Sequence, residues 1–217
     1  MPRLHPIPRS TLERMGDLVH QRIYTTPNPV VRWIFWSRLA RLLQLAEGAR
    51  LDRVLDCGCG EGALLPSLSA AAREVVAIDV DVRAAERLVR ELGLKNVAVR
   101  PARIEALPFA DGSFDAIFSA DVLEHIPVLE PGIVELRRVL APGGSLFVSA
   151  PTENLLYAVG RKVFGFQKPA DHYRTARDIE ALLAPTLPIS AKRYFPVDVA
   201  EAISAFVLLR AVRPVSG

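Results

Sequence analysis

From Arg53 onward, short apolar runs alternate with helical stretches, and this rhythm limits the folds open to the chain more than any other feature. "RVLDCG", "REVVAID", "NVAVR", "SFDAIFSA" and "SLFVSAP" are rich in Val, Ile, Leu and Phe and have strand length. Between them the pattern predicts helices over 61–71, 82–93 and about 130–140. Strands joined by helices build a parallel sheet with helices on both faces. At the end of the chain, "LPISAKRYFP" and "ISAFVLLRAV" read as two more strands. The link at about 196–202 is too short for a helical crossover, so these two should pair antiparallel. The expected fold is therefore α/β, a Rossmann-like, mostly parallel sheet of seven strands with an antiparallel C-terminal hairpin.

Before the sheet, residues 10–23 read as a helix, and 29–46 as a clearer one, with Asn28 as cap and Pro29 in the first turn. On the second helix Ile34, Phe35, Leu39, Leu42 and Ala46 share one side, and Arg32, Arg38 and Arg41 are expected to leave it. Trp33, Trp36 and Leu43 widen the apolar surface. The segment 151–174 follows the fifth strand, at the strand end where such sheets bind ligands. Next comes "TARDIEALLA", whose Thr175-x-x-Asp178 is a capping pattern. One domain is expected, in four parts: an N-terminal helical cap (1–50), a cofactor-binding core (51–150), a lid-like insertion (151–174), and a helix with a hairpin (175–217).

The 217 residues are half hydrophobic and about a quarter charged, as in a globular domain and unlike a disordered chain. No secretory leader is evident in "MPRLHPIPRS", and the apolar stretch "AISAFVLL" falls far short of the roughly 18 residues of a membrane span. A cytoplasmic location is the expectation. Net charge is only +3, although nine Arg face four acids in the first 53 residues. That excess reads as a solvated face, with RNA, an anionic substrate or peripheral membrane contact through the N-terminal helices as sharper alternatives. Oligomeric state is not written in these residues.

The chain's two cysteines, Cys57 and Cys59, lie one residue apart in "VLDCGCGEG". A disulfide there would close a strained ring, and no second pair supplies a tetrahedral zinc site. The glycines at 58, 60 and 62 sit where a strand gives way to a helix, which suits a tight turn that a ligand approaches closely. Seventeen residues after Gly62, Asp79 ends the next strand, where an acid can accept hydrogen bonds from both ribose hydroxyls. An adenosine-type cofactor is expected. The spacing G-x-G-x-G departs from the dinucleotide fingerprint G-x-G-x-x-G, but Ala63 occupies a position that some fingerprints tolerate, so a dehydrogenase stays open.

Taken in order, "VLDCGCGEG", "VVAIDVD", "EALPFADGSFDAIFSADVLEHI" and "LRRVLAPGGSLFVSAP" resemble the motifs of class I S-adenosylmethionine-dependent methyltransferases of the small-molecule type that includes quinone-biosynthesis enzymes. The resemblance covers about 53–150 and extends loosely through "DHYRTARDIEALL". It implies a cofactor set of Asp56, Cys57, Gly58 and Gly60 at the methionine part, Asp79 at the ribose, Val80 beside the adenine, and Ala120 near the sulfonium. Arg103 stands where relatives usually place the Asp that holds the adenine amino group, and Ile104 can still offer its backbone N–H.

Methyl transfer from a sulfonium chiefly asks for alignment and a dry pocket, and a hydroxyl acceptor also needs its proton removed. His125 is the first candidate base and Asp121 the second. The bland alternative is that Glu124 and His125 cap or orient the next helix. No metal is assigned, although Asp121, Glu124 and His125, with His172 added, resemble an acid-x-x-Glu-His cluster that quinone-pathway and small-RNA methyltransferases use for Mg²⁺ or Mn²⁺. Tyr24, Trp33, Trp36, Tyr157, Phe164, Phe166, His172 and Tyr173 are candidates to line an acceptor pocket.

The expected function is methyl transfer to a small acceptor, aromatic, quinone-like or lipid-like. RNA methylation and non-catalytic S-adenosylmethionine binding are the alternatives. Nucleic acid is disfavoured, because "SADV" stands in place of the Asp/Asn-Pro-Pro-aromatic motif of base amino-group methylators.

Overall fold

The computed structural model describes residues 2–16, 24, 26–163 and 171–215. Its elements run α1 (Arg9–Met15), α2 (Pro29–Leu45), β1 (Arg53–Cys57), α3 (Leu65–Ala71), β2 (Glu74–Asp79), α4 (Arg83–Leu92), β3 (Val97–Pro101), β4 (Phe114–Ala120), α5 (Glu130–Val139), β5 (Leu140–Pro151), α6 (Leu155–Val163), α7 (Ala176–Leu183), β6 (Ile189–Phe195) and β7 (Phe206–Val212). One seven-stranded sheet has the order β3-β2-β1-β4-β5-β7-β6. Strands β1 to β5 pair in parallel, and β7 is antiparallel to both β5 and β6. The last strand therefore lies inside the sheet and β6 forms the edge.

The connections run outward from β1 to β2 and β3 on one side, and from β4 to β5 on the other. Neighbouring loops at the carboxyl ends of β1 and β4 thus leave in opposite directions and open a crevice between them. Two apolar layers cover the sheet. Leu12, Leu39, Leu42, Leu65, Leu68 and Leu88, from α1 to α4, pack on one face, and Ile133, Leu136, Ile179 and Leu183, from α5 and α7, on the other. Each such fully buried side chain contributes about 1.5–3 kcal/mol.

Local chemistry sets the helix ends. Asn28 Oδ1 accepts from the N–H groups of Val30 (2.9 Å) and Val31 (3.3 Å), with Pro29 in the first turn. Thr175 and Asp178 complete the capping box at α7. The helix expected over 61–71 starts only at Leu65, because the preceding residues form the glycine turn. Of the helix expected over 10–23, α1 accounts for the beginning, and 17–23 lie outside the described residues.

One expectation about α2 is overturned. Arg38 does not leave the apolar side: its side chain is 1 % exposed, with the guanidinium carbon 5.2 Å from the Phe35 ring centroid and 4.7 Å from that of Phe206. Phe35, Arg38 and Leu42 follow helical spacing, so Arg38 shares their face. Its charge is tolerated there because Asp121 meets it.

Candidate active site

The crevice holds a cavity of about 520 Å³ whose walls come from the ends of β1, β2 and β4, the residues after β3, and the segment around 171. At its floor the chain leaves β1 through a turn that glycine makes possible. Gly58 has φ +82, and a Cβ placed there would meet Val122 Cγ2 at 2.2 Å. Both a left-handed conformation and a close approach to the β4 loop require hydrogen at that position. The N–H groups of Gly58 and Cys59 donate to the Ile78 carbonyl at 2.8 and 2.9 Å, tying the turn to β2.

The turn is also tied to the acid at the end of β2. The Gly60 N–H donates to Asp79 Oδ2 at 2.8 Å, while the Val80 and Asp81 N–H groups donate to Oδ1 at 2.7 and 3.3 Å. Both Asp79 oxygens are thereby held on the cavity wall, with an acceptor site remaining on Oδ2 for a ribose hydroxyl. Val80, Ala102, Arg103, Ile104 and Glu105 line the neighbouring wall. Arg103 lies at the rim, its side chain 69 % exposed and ion-paired to Glu105 at 2.9 Å.

Asp56 sits under this turn, 3 % exposed, and its Oδ2 has no hydrogen-bond partner. Burial first, and the nearby Asp79 charge second, push its carboxyl up to about 7. Cys57 and Cys59 are buried free thiols, and burial pushes both well above the usual thiol range. They are inert small residues of the turn.

At the other end of the cavity, Ala120 ends β4, and Asp121, Val122 and His125 follow it. Asp121 adopts φ 57, a left-handed conformation outside glycine, of the kind that persists only when its surroundings fix it. They do so here. Its N–H donates to the Ser149 carbonyl at 2.9 Å, and its carboxylate pairs with Arg38. Arg38 Nη1 also donates to Ser149 Oγ at 3.1 Å. Burial alone would lower the Arg38 pKa, but Asp121 and Tyr24 together outweigh it and hold the guanidinium above its ordinary value. Tyr24, itself buried and pushed up to about 12 mainly by that burial, lines the cavity beside this pair.

His125 closes a short 3₁₀ turn, Leu123–His125. Its Nδ1 lies 3.0 Å from Asp171 Oδ2 and its ring centroid 4.6 Å from that of His172. His172 Nδ1 is 2.8 Å from Glu153 Oε1, and Glu153, after β5, is with Asp121 one of the two described residues outside glycine with positive φ, at 53. Glu124 is 1 % exposed, neither of its carboxylate oxygens has a hydrogen-bond partner, and burial followed by the Asp121 charge raises its pKa well above the ordinary value. Glu124, His125 and His172 bring one donor atom each within 4.8 Å of one another. Neither Glu124 nor His125 caps the next helix, since the N-cap of α5 is Leu129 with no side-chain cap.

The residues expected at a cofactor site, Asp56, Cys57, Gly58, Gly60, Asp79, Val80, Arg103, Ile104 and Ala120, all line this one cavity, together with Asp121 and His125. Among the aromatic candidates Tyr24 lines it. Trp36 packs on Tyr24 at 5.0 Å and Tyr157 on Phe206 at 5.4 Å, while Trp33 stacks outside against Phe195 at 5.9 Å. Tyr173 is 56 % exposed. Phe164 and Phe166 lie outside the described residues. Sequence reasoning missed Arg38, Ser149, Glu153 and Asp171. Arg38 shares its helical face with Phe35 and Leu42, but no signal in the sequence names the partner that lets its charge be buried.

Residues 55–148 match the family model of a methyltransferase domain. The chain is 37 % identical over 121 residues to a malonyl-[acyl-carrier protein] O-methyltransferase of Erwinia pyrifoliae, covering 55 % of this chain and 45 % of that protein. It is 36 % identical over 140 residues to a ubiquinone biosynthesis O-methyltransferase of Xanthomonas oryzae pv. oryzae, covering 58 % of each. The chain thus spans about half the length of the curated relatives it matches. Its fold is that of the N-methyltransferase NodS from Bradyrhizobium japonicum, solved with S-adenosyl-L-homocysteine, with a TM-score of 0.70 and 21 % identity over 95 % of this chain and 97 % of that one. No helix among the described residues is long and apolar enough to cross a membrane.

Proposed function

From the methyltransferase domain that residues 55–148 match, we propose that this chain transfers the methyl group of S-adenosylmethionine to a small organic acceptor, aromatic, quinone-like or lipid-like. The observation that carries the reading is the bond from the Gly60 N–H to the Asp79 carboxylate. It joins the glycine turn to a ribose-binding acid on the wall of one cavity. On this reading Asp56 and the turn meet the cationic methionyl end, Asp79 takes a ribose hydroxyl through Oδ2, Val80 and Ile104 flank the adenine, and the backbone at Ala120 faces the sulfonium. His125, whose Nδ1 lies 3.0 Å from Asp171 Oδ2, accepts the acceptor's proton, and Asp121 is the less suited base because Arg38 occupies its carboxylate. Replacing His125 with Ala should lower turnover about 10²–10⁴-fold and leave cofactor affinity within a few-fold. The reaction takes place in the cytoplasm, with Val30 and Trp33, exposed at the start of α2, available for peripheral contact with a membrane that holds the acceptor.

Calorimetric titration with S-adenosylhomocysteine, followed by incubation of the protein with methyl-labelled cofactor and a metabolite extract, tests this. Saturable binding and label in an organic-soluble product are expected. Label appearing only in an RNA fraction would favour the nucleic-acid alternative, binding without any transfer would favour a non-catalytic binder, and no binding would remove the cofactor itself.

A second reading is favoured by the unpartnered, buried carboxylate of Glu124. Glu124, His125 and His172 fit a divalent cation of the Mg²⁺ or Mn²⁺ class, which would act as a Lewis acid on an acceptor oxygen. Titration with Mn²⁺ alone should then show binding that Glu124→Gln and His172→Ala weaken, and the absence of binding to the unaltered protein would dispose of it.

A further inference from the structure

The buried ion pair between α2 and the β4 loop bears directly on the charge that methyl transfer moves. The sulfonium is cationic before transfer and neutral after it, so positive charge leaves the sulfur in the transition state. A bare carboxylate on the adjacent wall would stabilise the bound sulfonium more than the transition state and so slow the step. Asp121 lines the cavity, its side chain 21 % exposed, immediately after Ala120. It is not bare. Arg38 reaches it from α2, its own side chain 1 % exposed, lodged between the Phe35 and Phe206 rings and bonded to Ser149 Oγ as well.

We propose that Arg38 is a positioning and charge-balancing residue for methyl transfer: it fixes the Asp121 carboxylate and neutralises it, so that Asp121 adds no net charge to the cavity wall facing the sulfonium. The proposal rests on the S-adenosylmethionine reading above. The same contact fixes more than charge. Val122 follows Asp121 and fills the space against Gly58, so the β4 loop is clamped between α2 on one side and the glycine turn on the other. Arg38 thus links the helical cap to the turn that carries the cofactor.

A purely structural ion pair and a charge-balancing one differ in one measurable quantity, the ratio Kd(S-adenosylhomocysteine)/Kd(S-adenosylmethionine). The two ligands differ at the sulfur by a methyl group and one positive charge, and general loosening of the site weakens both alike. Titration calorimetry at pH 8 on the full chain and on Arg38→Met, Asp121→Asn, Arg38→Lys and the double variant R38M/D121N reads it. Arg38→Met bares the carboxylate and should raise the ratio roughly tenfold, whereas Asp121→Asn bares the guanidinium and should lower it by a similar factor. The double variant and Arg38→Lys should stay within about twofold of the unaltered protein.

Opposite signs in the single variants, cancelling in the double, support the assignment. Ratios that do not move, even where melting temperatures fall and both ligands bind more weakly, overturn it and leave the pair a packing feature. Where one single variant fails to fold, the other decides by its sign, and R38Q and D121S serve in the same two roles. If the unaltered protein binds neither ligand, it is the cofactor reading that has failed; if it binds both and the ratios stay flat, only the charge-balancing role has.

Discussion

Replacing Asp56 with Asn should abolish a pH dependence that the buried carboxyl imposes on both stability and ligand binding. Asp56 has an ordinary pKa of 3.8 and is pushed up to about 7 in the folded protein. Below pH 3.8 the carboxyl is protonated in both the folded and the unfolded chain and costs nothing. Between 3.8 and 7 the unfolded chain releases the proton while the folded one keeps it, so stability falls as pH rises, and above 7 the full cost is present. A difference of about three pH units at 1.36 kcal/mol each amounts to roughly 4 kcal/mol, of which about 3 kcal/mol accrues between pH 5 and 8. For a chain of this size that corresponds to roughly 6–12 °C in melting temperature. The assay is a thermal melt of the unaltered protein and of Asp56→Asn at half-unit intervals from pH 5 to 8. Other groups titrate in both proteins and cancel in the difference. The Asn variant should gain on the parent as pH rises, by the amount just given.

Ligand binding supplies the second half of the same prediction. A methionyl ammonium beside Asp56 favours the ionised carboxylate, so binding expels the proton, and S-adenosylhomocysteine should bind about tenfold more weakly at pH 6 than at pH 8. Asp56→Asn should bind weakly at both. Parallel melting curves for the two proteins from pH 5 to 8, or an affinity that ignores pH in the parent alone, would refute the reasoning.

Gly58→Ala should lose at least tenfold in S-adenosylhomocysteine affinity and roughly 2–3 kcal/mol in stability, because its Cβ would enter Val122 at 2.2 Å with φ +82. Gly60→Ala, which has φ +50 but open space within 4 Å, should cost only about 1 kcal/mol, and equal losses at the two sites in chemical denaturation would show that the Val122 contact is unimportant. Thr175→Ala removes the hydroxyl that accepts the Asp178 N–H at 3.3 Å and should cost about 1 kcal/mol, read as a fall of roughly 2–4 °C in melting temperature with ligand affinity unchanged.

The parts of the fold that could be read from the sequence are those in which each residue's own preference agrees with its place. Val75 to Ile78 and, apart from Asp56, Val54 to Cys57 are apolar because both sheet faces are covered, and a run of that kind shows itself without knowledge of its neighbours. Asn28 and Thr175 act within two or three residues of themselves, so their work is also local, and the glycines declare a turn by their own backbone freedom although its partners lie on other strands. Asp79 was legible for a different reason: its carboxylate meets the Gly60 N–H 19 residues away, but that separation is fixed by one strand-helix-strand unit. The position of β7 inside the sheet was not legible, since a hairpin can dock by either strand, and the choice is made by side chains such as Val207 and Leu209 packing across β5.

Arg38 is the more instructive miss. A helical face is read by the polarity of its residues, and a guanidinium at spacing 35-38-42 counts against burial as long as its partner is unknown. That partner, Asp121, is itself held in a left-handed conformation by the Ser149 carbonyl and lies far from α2 in sequence. Burying the Arg38 charge alone would cost several kcal/mol, and Asp121, Ser149 Oγ, Tyr24 and two aromatic rings offset that cost although Nε keeps no hydrogen-bond partner. Replacing a buried ion pair by apolar residues of similar volume is often neutral or stabilising, so stability gives little reason for charges at such a place. The charges therefore point to what lies beside them: Asp121 is the one member of the pair that lines the cavity, and Arg38 is spent on setting its orientation and charge.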